Sequence, residues 1–466
     1  MQYQEASEIL AQYEQSQVLR FWDSLQEKDR ERLLKQVSEL DFSSIAQMRK
    51  LLKQQDSEVN LPQSGEMEPA QVSVLNGEAH DAAARIGSFE IRNGRVAAIV
   101  VAGGQGSRLG YDGPKGCYPI GPVSDAPLFY FHARKLLGLG KEWGSTIPLY
   151  VMTSKTNDAE TRQFFKDNDY SGLNPNDVFF FSQGMWPALT PDGKIILEEP
   201  ASIFLSPDGH GGTLSALEKS GALADMKKRG ITNVFYFQVD NPLVEVADPA
   251  FIGFHLQNLA DISIKVCAKR SPDEGLGVPV ERNGRIEIVE YTEFTTEQKN
   301  ERTPSGELRY KYGSVAIHIF STAFLEKEAK AGLPIHLAFK KVPYCDDNGT
   351  TVTPNEPNAY KFEKFIFDTL SDSKSTCCMA FDRANEFAPV KNAEGNDSPA
   401  TCKAALVAKW ARWLESCGVK IPRGADGAPL HNIEIDPAFA HSELALKLRL
   451  EDSKIKIDTS RDMLFS

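Results

Sequence analysis

The chain of 466 residues is short of cysteine, of positive charge and of long apolar runs. Its seven cysteines stand at 117, 267, 345, 377, 378, 402 and 417. The number is odd and no Cys-x-x-Cys pair occurs. The one close pair, Cys377–Cys378, is adjacent, a spacing that rarely bridges. A disulfide scaffold is therefore excluded, and a reduced, intracellular protein is expected. Glu5 and Glu8 stand where a secretory leader would be basic and then apolar. The longest strongly apolar run near the motifs below, Val96–Ala102, falls far short of the roughly 20 residues needed to span a bilayer. Together these absences predict a cytoplasmic protein with no membrane partner. Lys and Arg number 52 against 64 Asp and Glu, a net charge of −12. That balance excludes general nucleic-acid binding and polybasic membrane attachment, though a pocket for a small anion needs only local cations. The eight histidines are scattered without metal-ligand spacing. No Ser/His/Asp or Cys/His arrangement has recognisable context. Internal repeats and low-complexity tracts are also missing.

What is present is a core-forming chain, 41% hydrophobic and 25% charged, long enough for two or three domains. Val18, Phe21, Trp22, Leu25, Leu33, Leu34, Val37 and Leu40 recur at threes and fours, which predicts an N-terminal helical segment packed on the next domain. The polar stretch Gln54–Pro69 reads as a linker or long loop. From about residue 95 short β-branched and aromatic runs (Val96–Ala102, Ile147–Met152, Val178–Phe181, Val234–Val239) alternate with helical stretches such as Asp158–Lys166 and Thr213–Lys228. This alternation predicts an α/β core with parallel strand pairing, in which ligands lie at the carboxyl ends of strands. After about residue 380 the alternation weakens to one helix, Thr401–Ser416, a turn region at Pro422–Ala428 and a mixed tail. The expected domains are 1–94, 95–380 and 381–466.

The strongest motif follows the first strand of the core. Ala102-Gly103-Gly104-Gln105-Gly106-Ser107-Arg108-Leu109-Gly110 is followed by Pro114-Lys115-Gly116. Glycines allow the backbone to turn tightly and bring N–H groups close to an anion. Arg108 and Lys115 supply cations, Arg as a two-pronged clamp and Lys as a compact charge. The loop is neither a dinucleotide fingerprint, because Leu109 fills the third glycine position, nor a Walker A loop, because Lys115 lies between Pro114 and Gly116. Asp240, at the end of the run Asn233–Val239, is well placed for Mg²⁺ opposite a phosphate loop, although an aspartate at a strand end is also common as a plain turn residue.

This loop resembles the signature of the nucleotidyltransferases that make nucleotide sugars, and within them the eukaryotic-type UDP-N-acetylhexosamine (UDP-N-acetylglucosamine) pyrophosphorylases. Phe180–Met185, Gly193–Glu199, Pro207–Gly212, Val239–Asn241, Val289–Tyr291 and Phe362–Asp368 resemble family segments in family order, covering roughly residues 95–395. The resemblance implies a Rossmann-like, GT-A-like nucleotidyltransferase core with a mainly parallel mixed sheet, flanked by a smaller helical N-terminal part and a C-terminal domain. It implies transfer of a uridylyl group from UTP to N-acetylglucosamine 1-phosphate, giving UDP-N-acetylglucosamine and pyrophosphate, with Mg²⁺ as cofactor. Arg108, Lys115 and Lys391 would be the catalytic cations. Gly103, Gly104, Gly106 and Ser107 would hold the triphosphate. Gln183 and Gly209 match positions that read uracil, Gly277, Glu290 and position 314 match positions around the sugar, and Lys361 matches a lysine that approaches the phosphates.

Two departures bear on substrate choice. His210 stands where the animal and fungal enzymes have Asn in Pro-Asp-Gly-Asn-Gly-Gly, and Ser314 follows Gly313 where they have Gly-Asn. Ser lacks the amide of Asn, so at least one sugar contact must be remade or bridged by water. Glucose 1-phosphate, or a broad set of sugar phosphates, is therefore the near alternative. A non-catalytic nucleotide-sugar sensor is the alternative of another class, disfavoured by the joint presence of Arg108, Lys115 and Asp240.

Overall fold

The computed structural model describes residues 1–55, 66–453 and 457–466. Two compact units alternate along the chain. The first gathers Met1–Gly65, Gln183–Thr213 and Gly332–Asp368, and the second Glu66–Ser182, Leu214–Ala331 and Thr369–Ser466. The expected boundaries at 94/95 and 380/381 both fall inside the second unit. Most of the expected linker at 54–69 lies outside the described residues, and its end, Glu68–Pro69, is a short strand paired with Val280 and Glu281.

The second unit carries ten strands that frame the site. In chain order they are β1 (Val72–Val74), β2 (Val96–Val101), β3 (Leu149–Thr153), β4 (Val178–Ser182), β5 (Asn233–Gln238), β6 (Ile262–Ala268), β7 (Val278–Arg282), β8 (Arg285–Val289), β9 (Tyr312–Ser321) and β10 (Thr376–Ala380). Eight of them form one sheet in the order β1-β10-β6-β9-β5-β2-β3-β4. All its pairings are parallel except the two made by β9, which runs against both neighbours. The expected mainly parallel mixed sheet is thus present. β7 and β8 form a separate hairpin. Every residue of β2 and β3 is buried, the unbroken apolar pattern of strands covered on both faces.

One continuous core joins Ala98 and Val100 of β2, Phe235 and Phe237 of β5, Phe131 in the helix Leu128–Trp143, and Trp410 in the helix Pro399–Ser416. Ile433 and Phe465 of a C-terminal strand pair belong to it too. The tail is tied down by polar contacts: Arg134 pairs with Asp436, and Glu434 accepts from the N–H groups of Val123 (2.8 Å) and Ser124 (2.9 Å). The residues after 380 therefore close over the same core as the sheet. Thr213–Lys228, expected as one helix, is two, Thr213–Lys219 and Ala222–Lys228, because Gly221 at φ +80° takes the left-handed conformation that ends a helix.

In the first unit the expected helical run resolves into helices Tyr3–Gln12, Glu27–Glu39 and Phe42–Gln55, with short 3₁₀ turns at Ser16–Leu19 and Trp22–Ser24. Leu10, Val18, Leu33, Val37 and Ile45 pack with Trp186, Leu189, Ile195 and Phe362 from the later segments of the same unit.

Candidate active site at the ends of the parallel strands

The glycine loop leaves β2 at its carboxyl end. Asp240 leaves the adjacent parallel strand β5, in which Gln238 is opposite Val101. Two neighbouring strands therefore deliver both groups to the same end of the sheet. The loop folds back on itself: Gly106 N–H donates to Gly113 O (2.9 Å) and Lys115 N–H to Gly104 O (3.1 Å). A side chain at Gly106 would strike the Tyr111 ring at 2.8 Å, so glycine is needed there for close packing. Among the described residues the N–H groups of Gly103 and Gly104 find no acceptor, and both remain available to an anion. Ser107, Arg108 and Leu109 form a single 3₁₀ turn, with Ser107 and Arg108 exposed. Arg108 makes no ion pair among the described residues.

Lys115 Nζ lies 3.2 Å from Asp240 Oδ2, and the two side chains are 18% and 16% exposed. Motif residues 125 positions apart thus meet as a half-buried ion pair. Lys391 is brought beside them by the backbone, since Val390 N–H donates to Asp240 O at 2.9 Å. Its side chain is exposed, with Nζ 6.0 Å from the centre of the Phe387 ring. Asp240 Oδ1 has no protein partner among the described residues. One carboxylate with an open oxygen fits Mg²⁺, which is usually held by one or two carboxylates plus phosphate oxygens and waters. A denser acidic group, Glu245, Asp248 and Glu386, lies elsewhere in the unit and already has a cation. The buried Lys265 Nζ sits 2.7 Å from Asp248 Oδ2 and 2.7 Å from Glu386 Oε2.

Gly277, Glu290 and Ser314 also converge within this unit. Gly277 precedes β7 and Glu290 follows β8, and the hairpin register of Val278 opposite Val289 places them across from each other. Ser314 N–H donates to Gly277 O at 2.8 Å. A side chain at Gly277 would collide with Ile288 and reach Glu290 Oε1 at 3.7 Å, so glycine leaves the space beside that carboxylate open. Ser314 lies near the start of β9, and because β9 runs antiparallel to β5 its start shares the end of the sheet where Asp240 stands. A bulge separates Lys265 opposite Ile317 from Val266 opposite Ser314, and Ala316 within it has φ +58°.

The remaining candidates belong to the first unit. The loop Pro207–Gly212 is stitched to Lys364: Lys364 N–H donates to Asp208 O and Gly211 N–H to Lys364 O, both at 2.8 Å. Gly209 has φ +83°, and a side chain there would meet Lys364 O at 2.5 Å. The His210 ring packs against Phe365 and Phe367, with centroids 5.5 and 5.7 Å away. Burial, with a smaller contribution from His336, pushes its pKa down to about 4, so the ring is neutral at pH 7. His210 Nδ1 accepts from Ile366 N–H at 3.1 Å, which leaves the ring proton on Nε2 as a donor. Gln183 is buried, and Lys361 lies over the Phe204 ring at 4.8 Å.

Sequence reasoning missed Asn157. It is 1% exposed, and its Nδ2 donates to Ala102 O (2.9 Å) and Gly104 O (3.2 Å), pinning the glycine loop. Its one signal was position, just past the end of β3, the other parallel neighbour of β2.

Comparison with known proteins identifies the family. The family described as UTP–glucose-1-phosphate uridylyltransferase matches residues 42–419. The Xenopus tropicalis UDP-N-acetylhexosamine pyrophosphorylase-like protein 1 is 37% identical over 424 residues, covering 87% of this chain and 83% of that protein. The Saccharomyces cerevisiae UDP-N-acetylglucosamine pyrophosphorylase is 34% identical over 434 residues, covering 88% and 91%. The crystal structure of the Trypanosoma brucei uridine diphosphate N-acetylglucosamine pyrophosphorylase in complex with inhibitor superposes with a TM-score of 0.83 at 26% identity, over 98% of this chain and 97% of that one. A matched family spanning most of the chain, and relatives above 30% identity along most of their own length, establish that the chain belongs to the UTP–glucose-1-phosphate uridylyltransferase family.

Proposed function

We propose that this protein joins UTP to N-acetylglucosamine 1-phosphate, giving UDP-N-acetylglucosamine and pyrophosphate. The observation that carries this reading is the meeting of the glycine loop, Lys115 and Asp240 at the ends of two adjacent parallel strands. It is supported by relatives named for this activity. A phosphate oxygen of the sugar 1-phosphate attacks the α-phosphorus of UTP, and the bond from that phosphorus to the bridging oxygen breaks to release pyrophosphate. No protein nucleophile is required, so the work of the chain is alignment and charge neutralisation. Gly103 and Gly104 offer N–H groups to the triphosphate. Arg108, Lys115 and Lys391 balance charge that grows on the leaving pyrophosphate, a contribution of about 3 kcal/mol for one well-aimed donor. Mg²⁺, held by Asp240 when bound, would further neutralise phosphate charge. Gln183 and Gly209 are assigned to the uridine, His210 to the nucleotide-sugar pocket, Glu290 and Ser314 to sugar hydroxyls across the space that Gly277 leaves, and Lys361 to the phosphates. The seven free thiols and the absence, among the described residues, of a helix able to cross a membrane support a cytoplasmic setting.

Ser314 favours a second reading, in which glucose 1-phosphate or several sugar phosphates are used, because a short hydroxyl places no amide beside the sugar. A panel of sugar 1-phosphates with Mg²⁺ and each of the four nucleoside triphosphates, followed by pyrophosphate release, separates the readings. N-acetylglucosamine 1-phosphate with UTP is expected to turn over fastest. A faster glucose 1-phosphate would replace the proposal by the second reading, and UDP-sugar binding without turnover would make the protein a sensor. Lys115→Ala is expected to lower turnover at least a hundredfold with the fold retained.

A further inference from the structure

The segment after the helical turn Arg383–Glu386 runs alongside the Asp240 loop and is sewn to it by three hydrogen bonds. Asn241 Nδ2 donates to Glu386 O at 2.7 Å, Ala388 N–H donates to Asn241 Oδ1 at 3.1 Å, and Val390 N–H donates to Asp240 O at 2.9 Å. Asn241 is 4% exposed and spends both ends of its amide on these contacts. The turn is anchored in its own right. Both carboxylate oxygens of Glu386 accept from Lys265 Nζ at 2.7 Å, and Lys265 is fully buried on β6 with Asp248 as its second partner. Lys409, in the helix Pro399–Ser416, donates to Asn385 O at 2.7 Å and reaches Leu243 O at 3.5 Å, so it grips both sides of the seam.

We propose that Asn241 is a positioning residue: it latches the Asp240 loop to the segment 386–390 and so holds Asp240 and Lys391 in one register for the reaction. The chemistry explains the choice of residue. An amide can donate and accept at once, whereas a carboxylate of the same shape keeps only the acceptor. The ion cluster supplies the fixed wall against which the latch closes. Glu386 contributes to the latch through its backbone carbonyl, while its side chain is committed to Lys265, so the two halves are separable by mutation. This inference rests on the uridylyl-transfer reading for its kinetic consequence but not for the latch itself.

The test compares Asn241→Ala and Asn241→Asp with the parent chain by UTP turnover and by amide hydrogen exchange. Asn241→Ala is expected to lower kcat at least tenfold while KM for UTP stays within twofold, because Asn241 is buried with both ends of its amide committed to protein partners. Exchange at the Ala388 and Val390 amides is expected to quicken at least tenfold, with the amides of β2 and β5 unchanged. Asn241→Asp keeps the acceptor for Ala388 N–H and the side-chain volume, and its kcat is expected to fall between the two. Faster exchange with unchanged kcat would overturn the positioning role, and unchanged exchange would overturn the latch. A parent chain without uridylyl transfer would sink the functional reading, and the exchange measurement would still decide the latch.

Discussion

His132, His210 and His255 are held neutral by their surroundings. Burial pushes His132 down to about 3 and the other two to about 4, from an ordinary value of 6.5. His132 lies 2.9 Å from Val239 O and His255 2.8 Å from Ser263 Oγ, so each has a hydrogen-bond partner that suits the uncharged ring. Below pH 6.5 the unfolded chain takes up protons that the folded chain refuses. Stability is therefore full above about pH 6.5 and is lost as pH falls toward the folded values. Within that window each of these rings contributes a slope of about 1.4 kcal/mol per pH unit. The urea midpoint is expected to drop clearly between pH 7 and pH 5, and His255→Gln, which keeps a hydrogen-bonding group toward Ser263, to flatten the dependence. Equal midpoints at the two pH values would contradict the assignment. At this scale the sequence was readable where a residue type is rare for its setting: an Arg and a Lys in a glycine loop, and an Asp at the end of an apolar strand. It gave no role to Asn157 or Asn241, because a buried asparagine is marked by its partners, and these include backbone groups far away in the chain: the carbonyls of Ala102 and Gly104 for Asn157, and Glu386 O and Ala388 N–H for Asn241.

The strands follow the same logic one level up. β2, β3 and β5 were legible as short apolar runs because burial on both faces demands such runs, and the edge strand β4, partly buried at Phe179 and Phe180, was legible by its aromatic run. The antiparallel course of β9 was not, since strand direction leaves no mark on composition. Nor was its bulge, where Ala316 sits at φ +58° between Ser314 and Ile317. A left-handed conformation costs an ordinary L-residue roughly 1–2 kcal/mol, and a β-branched one more. The irregularity shifts the pairing of β9 with β6 at the point where Ser314 meets Gly277, so strain and the sugar-side residues share one short stretch. Ala316→Gly is expected to raise stability by about 1 kcal/mol through relief of this strain. Ala316→Val is expected to lower it by about 2 kcal/mol and to raise KM for the sugar 1-phosphate at least fivefold, since its branched side chain resists φ > 0 and would pull the bulge straight. Urea denaturation and steady-state kinetics on the pair check both halves. A valine variant with an unchanged KM would show that the bulge does not aim Ser314.

The division of the whole molecule was the least legible feature, because composition changes along a chain mark contiguous domains and these two units are not contiguous. The N-terminal helices do not stand alone: their core is completed by Trp186, Leu189, Ile195 and Phe362, from segments more than a hundred residues later. Those later segments carry Gln183, Gly209, His210 and Lys361. The first 65 residues, which contain no proposed site residue, therefore support the part of the chain assigned to the uridine. Deleting them removes Leu10, Val18, Leu33, Val37, Ile45 and Met48 from a single core cluster. Truncating even one large core side chain costs about 2–5 kcal/mol, and a domain has only about 5–15 kcal/mol in all, so the first unit is not expected to survive. The second unit keeps all eight strands of its sheet, and its core draws nothing from the deleted residues. Limited proteolysis of a chain beginning at Glu66 is then expected to cut within residues 183–213 and 332–368 while the fragments of the second unit persist, and uridylyl transfer is expected to be lost although Arg108, Lys115 and Asp240 remain. Protection of 183–213 equal to that in the full chain would show that the N-terminal helices are dispensable to the unit they complete.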